Sequence, residues 1–210
     1  MKNIMILGDS YSTFEEYIPE GYVTYYFKGG QDGPDVTRVE ETWWHQFVEE
    51  TGVNLVLNDS WSGSPICFRG YDEADCSETS SFIYRFEKLV KEGFFEQNEI
   101  DTLFIFGGTN DDYIGVELGE ETYEPVEKEK LFTVLPAICT LSRRVREVLP
   151  DAKIYHVLNT GFKQPIYDCF ENASKRYGIK VIRLHDLDKT WGHPTVKGMK
   201  LIKEQILENL

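Results

Sequence analysis

Short apolar runs of strand length recur along the chain, each separated from the next by a stretch with helical spacing. This alternation limits the fold more than any other feature of the sequence. Ile4–Leu7 comes first, then Val53–Leu57, Thr102–Phe106, Ile154–Leu158 and the short Val181–Leu184. Apolar runs of this kind read as strands covered on both faces. Between them, Glu40–Thr51 carries Trp44, Phe47 and Val48 on one face, and Ser80–Lys91 sets Phe82, Ile83, Phe86, Leu89 and Val90 at helical spacing. Glu127–Leu149 is a long amphipathic pattern in which Pro136 marks a break or a restart. Gln164–Tyr177 and Val196–Leu207 complete the helices. Strands spaced by helices need crossover connections, so the sequence predicts an α/β fold with a parallel five-stranded sheet and helices on both faces. A length of 210 residues suits one domain, residues 1–210, with a sizeable core.

In open parallel sheets ligands bind beyond the carboxyl ends of the strands, so the residues that follow each run carry the functional reading. The first run stops at Gly8-Asp9-Ser10, which puts a hydroxyl at that edge; the same tripeptide also serves as a plain turn. The second leads into Asn58-Asp59-Ser60-Trp61-Ser62-Gly63 and the third into Gly107-Gly108-Thr109-Asn110-Asp111. Near the C-terminus, Trp191-Gly192-His193-Pro194-Thr195 precedes the last helix, with Pro194 suited to its first turn. A hydrolase acting through serine needs a nucleophile, a base and donors for the oxyanion. Ser10, His193, the unobstructed N–H of Gly63 and the side-chain amide of Asn110 supply those types, all expected at one edge. Asp9, Trp61, Asp111 and Trp191 flank them as candidate substrate-binding residues. Two insertions, residues 19–39 and 64–79, interrupt the alternation. Tyr22–Arg38 is rich in aromatics and glycine, and reads either as a stacking surface for a sugar or acyl group or as loop packed on the body.

Gly8-Asp9-Ser10, Gly63, Gly108-Thr109-Asn110-Asp111 and His193-Pro194, in this order and spread over almost the whole chain, resemble the motifs of the SGNH hydrolases, the GDSL esterase/lipase family. The resemblance implies a three-layer α/β/α sandwich with a flavodoxin-like sheet. It implies Ser10 as nucleophile, His193 as base, and an oxyanion hole made of the N–H groups of Ser10 and Gly63 and the amide of Asn110. The family's aspartate three residues before the histidine is missing, and Thr190 stands there. Asp188 ranks first among the carboxylates for orienting His193, ahead of Asp186; Thr190 or a backbone carbonyl are the alternatives. The expected reaction is hydrolysis of short-chain esters, acetyl above all, of a carbohydrate or small metabolite through an acyl-enzyme. It requires no cofactor or metal. An acyltransferase on the same scaffold and a catalytically silent carbohydrate-binding module are the rival readings.

The net charge of −14 argues against nucleic acid and anionic membrane surfaces as partners. The start lacks a signal-peptide pattern, and no run reaches the length of a membrane span, so the sequence reads as soluble and cytoplasmic. Cys67, Cys76, Cys139 and Cys169 show no metal-ligand spacing and are expected as free thiols; Cys67 and Cys76 share a loop in which an oxidising compartment could pair them. The sequence leaves the oligomeric state open.

Overall fold

The computed structural model describes residues 1–210. All five expected strands form: β1 (Asn3–Gly8), β2 (Asn54–Ser60), β3 (Thr102–Phe106), β4 (Lys153–Leu158) and β5 (Lys180–Arg183). They make one all-parallel sheet in the order β2-β1-β3-β4-β5, the flavodoxin-like doubly wound order. The helices are α1 (Trp43–Thr51), α2 (Phe82–Lys91), α3 (Phe94–Gln97), α4 (Thr109–Ile114), α5 (Val134–Val148), α6 (Gln164–Tyr177) and α7 (Val196–Glu208).

Each strand splits its side chains between two cores, as a period of two requires. Ile4 and Ile6 of β1, with Phe104 and Phe106 of β3, pack towards α1 and α7, where Trp43, Phe47, Met199, Ile202 and Ile206 are buried. Met5 and Leu7, with Leu103 and Ile105, face the other way, towards Phe82, Phe86, Ile138, Leu141 and Phe170 of α2, α5 and α6. The result is the expected three-layer sandwich.

Helix ends follow local chemistry. Thr42 caps α1 by accepting from the His45 N–H, Ser81 caps α2 from Tyr84, and Thr195 caps α7 from Gly198. Among the boundaries that differ from the sequence reading, β2 runs on to Ser60, α4 starts at Thr109, and two more involve 3₁₀ turns. The Glu127–Leu149 pattern is a 3₁₀ turn, Lys128–Phe132, followed by α5. Pro136 marks the restart that the sequence allowed: it is the third residue of α5, where no intrahelical partner awaits its missing N–H. Second, Val39–Glu41 forms a separate 3₁₀ turn, and α1 starts only at Trp43.

One small element was not expected: a two-stranded antiparallel ribbon of β6 (Lys189–Thr190) and β7 (His193–Pro194). Trp191 and Gly192 form its turn, with φ of 51° and 79°. Two residues at positive φ are what a tight hairpin of this handedness needs. No helix is long and apolar enough to cross a membrane.

Candidate active site

Ser10 follows β1 directly. Gly8 has φ in the ordinary range, but a Cβ there would sit 2.4 Å from Oγ of Ser60, its partner on the neighbouring strand β2, so glycine leaves room for that side chain. Asp9 then caps a 3₁₀ turn over Ser10–Ser12 by accepting from the Tyr11 N–H at 3.0 Å. The turn holds the Ser10 side chain at the sheet edge.

His193 arrives from the far end of the sequence on β7. Its Nε2 lies 3.0 Å from Ser10 Oγ. Its Nδ1 lies 3.2 Å from the carbonyl oxygen of Trp191. A carbonyl can only accept, so Nδ1 carries the proton and Nε2 is left to accept from the Ser10 hydroxyl. That tautomer is the one a general base requires. Burial holds the imidazole below its ordinary range; the bond to Trp191 opposes this, and the Lys189 ammonium adds to it. The base is therefore neutral, and ready to accept a proton, at neutral pH.

Three donor groups come from the same edge of the sheet, after β1, β2 and β3. The backbone N–H of Ser10 and that of Gly63 have no acceptor in the protein. Gly63 adopts φ of 79°, a conformation that glycine takes readily. Asn110, the second residue of α4, donates through Nδ2 to the Ser64 carbonyl at 2.9 Å, which leaves its second amide hydrogen free. Its Oδ1 accepts from the Tyr71 hydroxyl at 2.9 Å. That bond fixes which end of the amide faces the site.

The orienting carboxylate expected at Asp188 is not there. Asp188 Oδ2 accepts from the Thr195 hydroxyl at 2.5 Å, as part of the cap of α7. Asp186 is on the surface with His185. Thr190 pairs with His193 across the ribbon, and the Trp191 carbonyl takes the place of an acid.

Asp9 and Asp111, expected among the substrate contacts, are corrected too. Both are fully buried. The carboxylate of Asp111 accepts from the amides of Ile66 and Cys67 at 2.8 and 3.0 Å and so anchors the loop after β2. Burial raises both acids. Asp9 reaches about 7, against the opposing pull of the Tyr11 amide, the Thr109 hydroxyl and Arg85. Trp61 and Trp191 do lie at the surface; Trp61 packs on Tyr22 with ring centroids 4.3 Å apart, and Trp191 is 71% exposed.

Sequence reasoning missed Arg85. Its side chain is 1% exposed and spans the floor of the site. It donates to the carbonyls of Ser80, Asp59 and Gly8 and to Ser64 Oγ, and lies 3.4 Å from Asp59 Oδ2. One guanidinium thus ties the ends of β1 and β2 to the loop that carries Gly63 and Ser64. The signal was present: Arg85 falls on the Phe82-Phe86-Leu89 stripe, and a cation on an apolar face implies a buried partner. Tyr71 was missed for another reason. It sits in a loop whose strained neighbours, Asp72 and Glu73 at φ 52° and 60°, left no periodic trace in the sequence.

The family model for GDSL-like lipase/acylhydrolase matches residues 2–210. A crystal structure described as a GDSL-like lipase from Bacteroides ovatus ATCC 8483 shares 42% identity at a TM-score of 0.91, covering 99% of this chain and 97% of that one. Another so described, from Bacteroides uniformis ATCC 8492, shares 40% at 0.91, covering 100% and 95%. An acetyl xylan esterase from the rumen bacterium Butyrivibrio proteoclasticus has the same fold at 14% identity and a TM-score of 0.62, covering 99% of this chain and 62% of its own. A family two carbohydrate esterase from Clostridium thermocellum, in complex with cellohexaose, does so at 17% and 0.63, with the same coverage. No curated protein sequence matches the chain. By the whole-chain family match and these close structural relatives, the chain belongs to the GDSL-like lipase/acylhydrolase family, hydrolases that act on ester bonds.

Proposed function

We propose that the chain is a serine esterase that removes short acyl groups, acetyl above all, from a carbohydrate or small metabolite. The observation that carries this reading is the 3.0 Å contact between Ser10 Oγ and His193 Nε2, beside two backbone N–H groups without acceptors and a half-used side-chain amide. His193 takes the proton of Ser10 as its oxygen attacks the ester carbonyl. Negative charge that develops on the carbonyl oxygen is met by the N–H of Ser10, the N–H of Gly63 and the amide of Asn110. His193 then returns the proton to the departing alcohol, and an acyl group remains on Ser10. Water, deprotonated by the same imidazole, hydrolyses the acyl-enzyme by the reverse sequence.

Support for a sugar comes from what borders the site. Trp191 and Tyr113 are 71% and 80% exposed, and Tyr113 lies beside Tyr71 with ring centroids 6.3 Å apart. Flanking Tyr71, and lined by none of the catalytic residues, is a groove of about 660 Å³ whose walls include Arg69, Asp72, Glu73, Glu117 and Glu129. Aromatic faces and polar walls suit sugar rings and suit long acyl chains poorly. The carbohydrate esterases among the structural neighbours agree with this reading.

The test is labelling and turnover in one experiment. A fluorophosphonate probe is expected to label the protein at Ser10, and Ser10→Ala is expected to lose both the label and hydrolysis of p-nitrophenyl acetate while keeping its unfolding midpoint. Activity retained in that variant would remove Ser10 from its role. A faster rate on long-chain esters than on acetylated sugars would overturn the substrate class.

A further inference from the structure

We infer that Tyr25 is the positioning residue for His193, its ring setting the plane of the imidazole that a carboxylate does not hold in this protein. The inference rests on the reading of Ser10 and His193 given above. A neutral carbonyl from the adjacent turn fixes the tautomer at Nδ1. One such bond at 3.2 Å leaves rotation of the ring about its Cβ–Cγ axis weakly restrained. The Tyr25 ring lies flat against the imidazole, with centroids 3.5 Å apart and planes 10° from parallel. Tyr11 and Tyr26 approach at steeper angles, 53° and 80°, at 5.6 and 6.5 Å. The ring is therefore packed on one face and bounded at its edges.

Tyr25 is tied to the nucleophile as well as to the base. Its N–H donates to Thr13 Oγ1 at 2.9 Å, and the Thr13 hydroxyl donates to the Ser10 carbonyl at 3.0 Å. Two hydrogen bonds thus join the backbone of Ser10 to the residue that stacks on its base. The same insertion grips the ribbon elsewhere. The Tyr26 hydroxyl donates to the Pro194 carbonyl at 2.9 Å, and Asp35 Oδ1 accepts from the Val196 N–H at 2.8 Å. Gly33 abuts Trp191 so closely that a Cβ there would lie 2.8 Å from the indole. Of the two readings the aromatic insertion allowed, packing is the one that holds for Tyr25 and Tyr26; what they pack against is the base.

Chemistry adds a reason for a ring at this place. The imidazole becomes a cation each time it takes the Ser10 proton, and a π-face stabilises a cation placed over it. The Tyr25 hydroxyl makes no hydrogen bond, so the ring rather than the oxygen is what acts. The groups facing His193 are Tyr11, Tyr25, Tyr26, Ser10 and, further off, Lys189.

Tyr25→Phe, Tyr25→Leu and Tyr25→Ala, assayed on p-nitrophenyl acetate across pH, test the inference. Tyr25→Phe is expected to keep kcat within about twofold of the parent and to keep its pH profile. Tyr25→Ala and Tyr25→Leu are expected to lose kcat on the order of tenfold, with KM little changed. Their acid limb is expected to move up towards the ordinary imidazole value of 6.5, because burial is the main cause that holds His193 down and its loss outweighs the loss of the π-face under the cation. Unchanged kcat and limb in both truncated variants would overturn it. So would a rise in KM alone, which would make Tyr25 a substrate contact, or a loss in Tyr25→Phe equal to that in Tyr25→Ala. NMR titration of His193 in the parent and in Tyr25→Leu reads the stack without turnover, through the ring-current shift of the imidazole protons. An imidazole resonance unmoved by that substitution would overturn the inference even if the alanine variant failed to fold. Failure of the fluorophosphonate label on the parent would instead count against Ser10, and the NMR result separates the two.

Discussion

Asn110 and Asp9 show how differently two buried polar residues at one sheet edge behave. Asn110 is held at both ends, by the Tyr71 hydroxyl and the Ser64 carbonyl, with one amide hydrogen to spare. Asn110→Ala is expected to lower kcat by roughly 10²–10³ and to change KM much less, as expected for a donor used mainly in the transition state; steady-state kinetics on an acetyl ester check this. Asp9 acts on stability. Its folded-state value of about 7 lies above the ordinary 3.8, so the native state keeps a proton that the unfolded chain releases. The stability this contributes is complete below 3.8 and is lost as pH rises to about 7. Asp9→Asn carries no such proton. The parent is expected to lose up to about 4 kcal/mol more than this variant between pH 4 and pH 8; urea unfolding at both pH values measures the difference.

At the scale of elements, α2 matters through a single side chain. Replacing Arg85 with methionine leaves the Asp59 carboxylate, 1% exposed, without its cation and three carbonyls without their donor. Such a change is expected to cost about 3–5 kcal/mol, read as a lowered urea midpoint. The strands and long helices were legible in the sequence because apolar periodicity reports burial, and their order follows from the crossovers. The motif residues Ser10, Gly63, Asn110 and His193 were legible because each follows a strand or precedes the last helix. Other features were not. Val39–Glu41 and Lys128–Phe132 carry helical composition but close as 3₁₀ turns, since the chain must change direction at Thr42 and at Thr133. The β6–β7 ribbon has two residues per strand, too short for any period to register, so the sequence offered a backbone carbonyl only as one alternative for orienting His193 and did not single out that of Trp191. Arg85, Tyr25 and Tyr71 reach the site through contacts 21 to 168 residues apart in sequence, and local pattern says nothing about such distances.

For the molecule as a whole, the charge of −14 sets the field in which a substrate arrives. Neutral acetylated sugars are expected to show kcat/KM that is flat from 10 to 200 mM salt. Acetylated uronic acids are expected to be poor substrates at low salt and to improve as it is added, because screening shortens the Debye length to about 10 Å near 0.1 M. Stopped-flow or steady-state rates over that range decide the point. The doubly wound sheet places Ser10 and Asn110 on either side of the β1–β3 switch, where the crossovers on the two faces diverge and leave room between them. His193 has no place on that sheet. It rides on the lead-in to α7, whose first turn is clasped by Asp188, Thr195 and Asp35. Detachment of the C-terminal segment would therefore carry the imidazole off with it while the central sheet stayed intact. On slow heating, activity is expected to be lost together with the helical circular dichroism of α7 and before the rest of the fold melts, and cooling from that point is expected to restore activity.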